Sequence, residues 1–262
     1  MRRQYSFKKC VIAVILALPS FISAEFLHHD LGYANHFGAM HENTFFSMYE
    51  NPALLRSVPA AYGSFSRKYG FSELDETTIG VEFPFESFRT ALFASTFQTL
   101  PYREQQVGLS VNKTFRSLIT VGITLKMLHL DCMEISKTAF SYDLGIAARY
   151  KNHHIAVSVK DPDRPYITAA IPMTSLVKYS MNLGKFTANC TYTSITSLYS
   201  NWLVASEYTI TDFLTFSYGV RITNGEHRAG IRMNRHNIHI NIAYIVPETL
   251  PGYLLAETGV TW

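Results

Sequence analysis

Serine, histidine and aspartate recur in this chain where hydrolytic chemistry could use them: Ser141 and Asp143 follow His129, and Ser206 could be set beside His239. Acyl transfer needs a nucleophile within hydrogen-bond reach of a base that a third group orients. Neither set carries a supporting motif, since the chain has no Gly-x-Ser-x-Gly elbow, Gly-rich phosphate loop or His-Glu-x-x-His site. Two other places invite a metal, His28-His29-Asp30 and His153-His154. Adjacent residues of a strand point to opposite faces, so His153 and His154 are poorly placed to share one ion. The residues therefore assign no catalytic, cofactor-binding or metal-binding group, and a non-enzymatic role is expected.

The elements that would position these groups are strands. Val107, Leu109 and Val111 alternate with Gly108, Ser110 and Asn112; Ile119, Val121, Ile123, Leu125 and Met127 alternate with Thr120, Gly122, Thr124 and Lys126. The same beat returns over 144–150, 155–160, 186–192, 214–222, 229–233 and 238–244. Period two places one residue set on each face of a strand. Here the polar set is mostly Gly, Ser, Thr and Asn with sparse charges, which suits an enclosed lumen better than a water-washed sheet. Charged residues make up only 16% of the chain, fewer than a soluble surface needs. No stretch after residue 24 is apolar enough to cross a bilayer as a helix.

Turn signals, above all Asn224-Gly225, divide 59–262 into about fifteen strand-like pieces. A single-chain bacterial barrel needs an even number. An all-β, transmembrane antiparallel β-barrel of about fourteen strands is expected, with twelve as the alternative and Tyr166 to Met181, interrupted by Pro172, as the doubtful region. Tyr102, Tyr150, Tyr166, Tyr192, Phe213, Tyr253 and Trp262 are placed to form interfacial girdles. The alternative in another class is a soluble periplasmic β-protein that encloses its apolar stripe.

Residues 1–24 read as a cleavable signal peptide: Arg2, Arg3, Lys8 and Lys9 precede an apolar run, and Ala24 offers a small residue for the cut. The whole chain has 23 basic and 20 acidic residues. Loss of those four basic residues leaves 19 against 20, a formal charge of −1. That balance argues against nucleic acid as a partner. Cys132 and Cys190 remain, too few for a disulfide framework, and whether they pair is left open.

Residues 25–58 lack the strand beat and are expected to form a short hatch-like segment in the barrel mouth. Its end, Asn51, Pro52, Ala53 and Leu54, is expected to be a rigid hatch-to-barrel turn, because Pro52 fixes its own φ and pushes Asn51 out of the helical region. Glu82, Lys126, Arg149, Arg221, Arg232 and Glu257 are candidate lumen charges, with the two glutamates as partners for the four cations. A crosswise ionic filling of the interior is expected; an open pore with a basic wall is the other outcome of the same phase. The last strand alternates through Leu254, Ala256, Thr258, Val260 and Trp262, and resembles the C-terminal signature by which barrel-assembly machinery recognises outer-membrane clients, with Val260 and Trp262 carrying the signal and Trp262 as its aromatic end.

Gly38-Ala39, then Phe46-Ser47-Met48-Tyr49, then Asn51-Pro52-Ala53-Leu54, resembles the opening of the PorV/PorQ family, itself related to long-chain fatty-acid transporter barrels. Gly122 to Lys126, Tyr142-Asp143-Leu144-Gly145-Ile146 and Ile155 to Asp161 are similar to that family's central strands, with Asp161 where Asn is usual. The resemblance implies a barrel of about fourteen strands that either holds secreted proteins for a type IX-like secretion system or takes up hydrophobic small molecules past an N-terminal hatch. The chain's short length favours the scaffold. Outer-membrane lipid, the assembly machinery, secretion components or secreted proteins, and hydrophobic solutes are the partners implied, and the cell outer membrane is the expected location.

Overall fold

The structure is a computed structural model that describes residues 47–67, 75–99, 102–132, 135–167, 171–196, 199–248 and 251–262. The expected signal peptide, Gly38-Ala39 and the histidines at 28 and 29 lie outside the described residues.

Fourteen antiparallel strands close on themselves in sequence order, the last pairing with the first. They are β1 Ala60–Arg67, β2 Asp75–Pro84, β3 Arg89–Thr99, β4 Tyr102–Phe115, β5 Ile119–Cys132, β6 Ile135–Tyr150 and β7 His153–Lys160. The circuit continues with β8 Thr174–Leu183, β9 Phe186–Ile195, β10 Tyr199–Thr211, β11 Leu214–Arg221, β12 Glu226–Arg235, β13 Ile238–Val246 and β14 Tyr253–Thr261. Closure gives each strand two neighbours, as any structure spanning hydrocarbon requires.

The alternation read from the sequence is the alternation of the wall. On β5, Val121, Ile123 and Leu125 are exposed while Gly122, Thr124 and Lys126 are buried. On β6, Leu144 and Ile146 face out while Asp143 and Ala147 face in. The outer face is thus the oily one and the core is polar, the reverse of a soluble barrel. In water, each exposed side chain would leave apolar area unburied at a cost of roughly 25 cal/mol per Å².

One end of the barrel carries short links, and the tight turns there need unusual backbone. Arg116 and Ser117 both have positive φ, 48° and 56°, and Leu118 N donates to Phe115 O at 3.1 Å, closing the β4–β5 hairpin. Two successive left-handed residues match the twist of the flanking strands. The other end carries the longest link, 161–173. No strand forms at 165–172 among the described residues, contrary to the fifteenth piece counted from sequence; Pro165 and Pro172 bracket it and cannot donate to a ladder. Ile167 and Ile171 instead fold inward onto Leu128 and Leu130. Asn224-Gly225 lies in the link between β11 and β12, with Gly225 at φ 61°.

Of the expected girdle, Tyr150, Tyr166, Phe213 and Trp262 are exposed. Tyr253 is a correction: it occupies the inward phase of β14, with Leu255 and Glu257, and is buried. Cys132 and Cys190 are free thiols.

Candidate functional site

The interior site is built where the chain before β1 meets the wall. Helix α1, Ser47–Glu50, and a single 3₁₀ turn, Pro52–Leu54, lie inside the barrel. Asn51 separates them in an extended conformation, φ −153° and ψ 116°, as the following proline demands. Its side-chain carbonyl accepts from Ala53 N at 2.8 Å and caps the 3₁₀ turn. Its amide group donates outward to the wall, to Val157 O at 2.8 Å and Ile146 O at 3.3 Å. One side chain therefore shapes the turn and fastens it.

The wall under this turn is one row of cross-strand neighbours. Register places Asn112 of β4 opposite Gly122 of β5, Gly122 opposite Gly145 of β6, and Gly145 opposite Ser158 of β7. Asn112 Nδ2 donates to Pro52 O at 3.1 Å, and Ser158 Oγ donates to Glu50 O at 2.6 Å. Between them the two glycines leave room: a Cβ on Gly122 would meet the Pro52 carbonyl at about 2.5 Å, and one on Gly145 would meet Asn51 Oδ1 at 2.0 Å. Asn51, Pro52 and Ala53 are buried there, with Leu54 half-buried. The opposite side of the segment is apolar, since Met48, Tyr49 and Leu55 pack with Tyr62, Ala91 and Phe93 of β1 and β3. Arg89 closes the base by donating to Leu55 O at 3.2 Å.

Beyond this seat the lumen is filled by ion pairs. Lys126 Nζ lies 2.6 Å from Asp143 Oδ1 and 2.8 Å from Asp161 Oδ1, with all three side chains almost wholly buried. Arg221 and Arg228 both reach Glu226, at 3.1 and 2.6 Å. Arg232 reaches Glu207 at 3.0 Å, which also accepts from Asn189. These acids lie outside the set expected from sequence. Glu82 accepts from the Arg56 amide at 2.8 Å and lies in the field of the Arg56 and Arg89 guanidinium groups, and Glu257 accepts from Asn241 Nδ2 at 2.9 Å. Arg149 keeps the inward phase but stands exposed at the short-link mouth, outside the buried filling.

Glu50, Lys160, Lys178, Glu207, Glu226 and Arg228 were missed as interior charges, although all are buried. Their strand phase was the available signal for five of them. Glu50 sits in α1, where no strand phase exists. Burial raises its carboxyl above the ordinary value of 4.5, against the lowering pull of Lys178, Lys160 and Arg228.

The hydrolytic sets do not assemble. Ser141 points inward and donates to Asp163 Oδ1 at 2.6 Å, whereas His129 lies on the outward face and meets Thr138 Oγ1 at 2.5 Å. Ser206 shares the outward phase of Trp202 and Val204, and His239 shares the inward phase of Asn241. His153 faces out to Tyr179 and His154 faces in. Among the described residues no group of three or more metal-ligating side chains occurs.

No family model matches the chain. No curated protein matches it either. Solved structures do. The toluene transporter TbuX of Ralstonia pickettii superposes with a TM-score of 0.64 at 10% identity, covering 86% of this chain and 95% of that one. A Pseudomonas aeruginosa FadL homologue gives 0.59 at 10% identity over 92% and 99%. The Acinetobacter baumannii outer membrane protein Omp33 gives 0.53 at 9% identity over 79% and 99%. At these identities the likeness is one of fold: the chain has the barrel architecture found in outer-membrane proteins, a FadL homologue among them.

Proposed function

We propose that this chain is a non-enzymatic outer-membrane barrel that passes small or hydrophobic solutes, with the segment ending at Leu54 as the hatch. The carrying observation is the seat of Asn51 and Pro52 on the Gly122–Gly145 row. It is a localised fastening of a few hydrogen bonds between a separate segment and a smooth patch of wall. Each such bond contributes about 1 kcal/mol net, beside the apolar packing of Met48, Tyr49 and Leu55 on the other side of the segment. The fold shared with a toluene transporter and a FadL homologue supports the substrate class. Short links then face the periplasm and the 161–173 loop faces outside, as in other barrels of this kind.

A second reading, a type IX-like scaffold that holds secreted protein, draws on the buried ion pairs around Lys126, Glu226 and Glu207. They fill and cross-brace the interior beyond the hatch. The PorV/PorQ resemblance belongs to this reading.

Planar-bilayer conductance of the refolded chain, beside a variant lacking 25–58, separates the two. Passage predicts steady conductance in the deletion variant and little in the intact chain. Silence from both, with heat-modifiable migration confirming folded barrels, rejects passage and leaves the scaffold.

A further inference from the structure

Toward the long-link end the sheet loses a neighbour. β6 pairs with β5 from Ala148 to Ile135, but with β7 only from Tyr150 to Asp143. β7 and β8 both end at that level, where Asp143, Lys160 and Thr174 stand in one row. The remaining half of β6, Ile135 to Tyr142, therefore forms one side of a notch in the rim. Parity defines its open edge. Tyr142 O accepts from Asp161 N at 3.2 Å on that side, so Ser136, Thr138 and Phe140 direct their backbone N–H and C=O groups the same way. Among the described residues no backbone bond reaches these three from that side. Their side chains are exposed, and Phe140, at 72%, is more open than any other large hydrophobic described.

The described part of the following loop leaves the notch. It turns at Asp161, φ 50°, and carries Ile167 and Ile171 onto Leu128 and Leu130 in the lumen. A lysine on an open edge commonly guards it against pairing; here Lys137 has the lumen phase and donates to Ile167 O at 3.0 Å. Nor is the edge at hydrocarbon depth, where unpaired peptide groups are not tolerated. A transmembrane strand needs about 9–11 residues, and β6 has 16. The outward residues registered beside this half are polar: His129 and Asp131 of β5 and, beyond them, Gln105 and Arg103 of β4.

We infer that this edge docks an extended polypeptide segment of another protein, which adds a strand to β6 in line with β7. Main-chain bonds to Ser136, Thr138 and Phe140 supply the affinity, and an apolar side chain opposite Phe140 supplies selection. Lipid does not offer donors and acceptors at strand spacing. A second copy in the same membrane is badly placed, because barrel strands tilt by about 35–45° and the facing walls of two upright barrels tilt in opposite senses. Their edges cross instead of running side by side. A free segment has neither restriction. This docking is independent of solute passage, and it supplies a protein contact that the scaffold reading needs.

The test uses the full refolded chain in an uncharged maltoside detergent, titrated by fluorescence anisotropy against a fluorescein-labelled octapeptide that alternates valine and threonine. The peptide is N-methylated at every threonine, so only the edge that carries valine outward can donate. Saturable binding is expected. It should weaken at least tenfold for the isomer methylated at valine instead, which has the same composition but no donor on that edge. Thr138→Pro removes an open-edge N–H that the β5 ladder does not use, and it should weaken binding at least tenfold with heat-modifiable migration unchanged. Phe140→Ser should weaken it several-fold. Failure of folded wild-type barrels to bind, or equal binding of the two isomers, overturns the docking edge, and the isomers decide even where Thr138→Pro does not fold. Wild-type affinity in folded Thr138→Pro places the peptide elsewhere and overturns it too. A dimer in sedimentation that Thr138→Pro abolishes overturns the choice of occupant in favour of a second copy. Peptide binding by a chain whose 25–58 deletion never conducts keeps the edge and refutes passage alone.

Discussion

Gly122 and Gly145 face each other across β5 and β6, and together they form the floor on which Pro52 and Asn51 rest. Neither has an unusual backbone that calls for glycine. The requirement is space, because a methyl group at either position would enter the hatch. Gly145→Val and Gly122→Val should therefore unseat the hatch and leave the barrel closed. Heat-modifiable migration should stay like that of the wild type, while protease access to Arg56 rises at least tenfold. Normal protection in both variants would mean that the floor is not what seats the segment.

Asn51 acts by fastening where the glycines act by yielding. Asn51→Ala deletes the cap on Ala53 N and two bonds to the wall, at a cost of about 1–3 kcal/mol. Asn51→Asp keeps the cap but loses the donor to Val157 and Ile146. If both halves matter, hatch protection should fall in the order wild type, Asp, Ala, as read by hydrogen exchange of the Ala53 and Leu54 amides. Equal protection in the Asp variant would show that the wall bonds are dispensable.

How far the sequence disclosed this site depends on which residues are considered. Strand phase is a local property, so the inward set on β5, Gly122, Thr124 and Lys126, was legible from six letters of alternation. The extended Asn51 and rigid turn were legible too, because a proline restricts the residue before it. Partners were not. Lys126 is registered opposite Ser141, and it meets Asp143 only diagonally, while Asp161 arrives from the link after β7 at φ 50°. Such pairings depend on stagger between strands and on a loop, neither of which periodicity records. The hairpin at Arg116-Ser117 was hidden for a similar reason, since neither residue type announces a left-handed turn.

Lys126 tests the ionic filling. Removing the ammonium group leaves Asp143 and Asp161 buried together without it, and breaking a buried pair in this way costs about 3–5 kcal/mol. Lys126→Met should lower the thermal midpoint by several degrees. The triple variant Lys126→Met, Asp143→Asn, Asp161→Asn should recover most of the loss, because amides need no counter-charge. A triple variant as unstable as the single one would show that packing around the lysine stem, and not its charge, matters.

Glu50 makes hatch seating depend on pH. Burial is the largest influence on its carboxyl and raises it above 4.5, with Lys178, Lys160 and Arg228 pulling the other way. A raised acid binds its proton more tightly when buried than when released. Its contribution to seating is thus fully present below the ordinary carboxylate range and is lost as pH rises through the raised value. The Ser158 bond to Glu50 O does not titrate and should persist throughout. Protection of Arg56 from trypsin cannot be followed at acid pH, so exchange of the Ala53 amide, corrected for its intrinsic rate, is the appropriate reading. Wild-type protection should decline from pH 4 toward neutrality, and Glu50→Gln should flatten the curve near its acid limit. A decline of equal size in Glu50→Gln would assign the titration to another group, and a rise with pH would mean that the three cations outweigh burial.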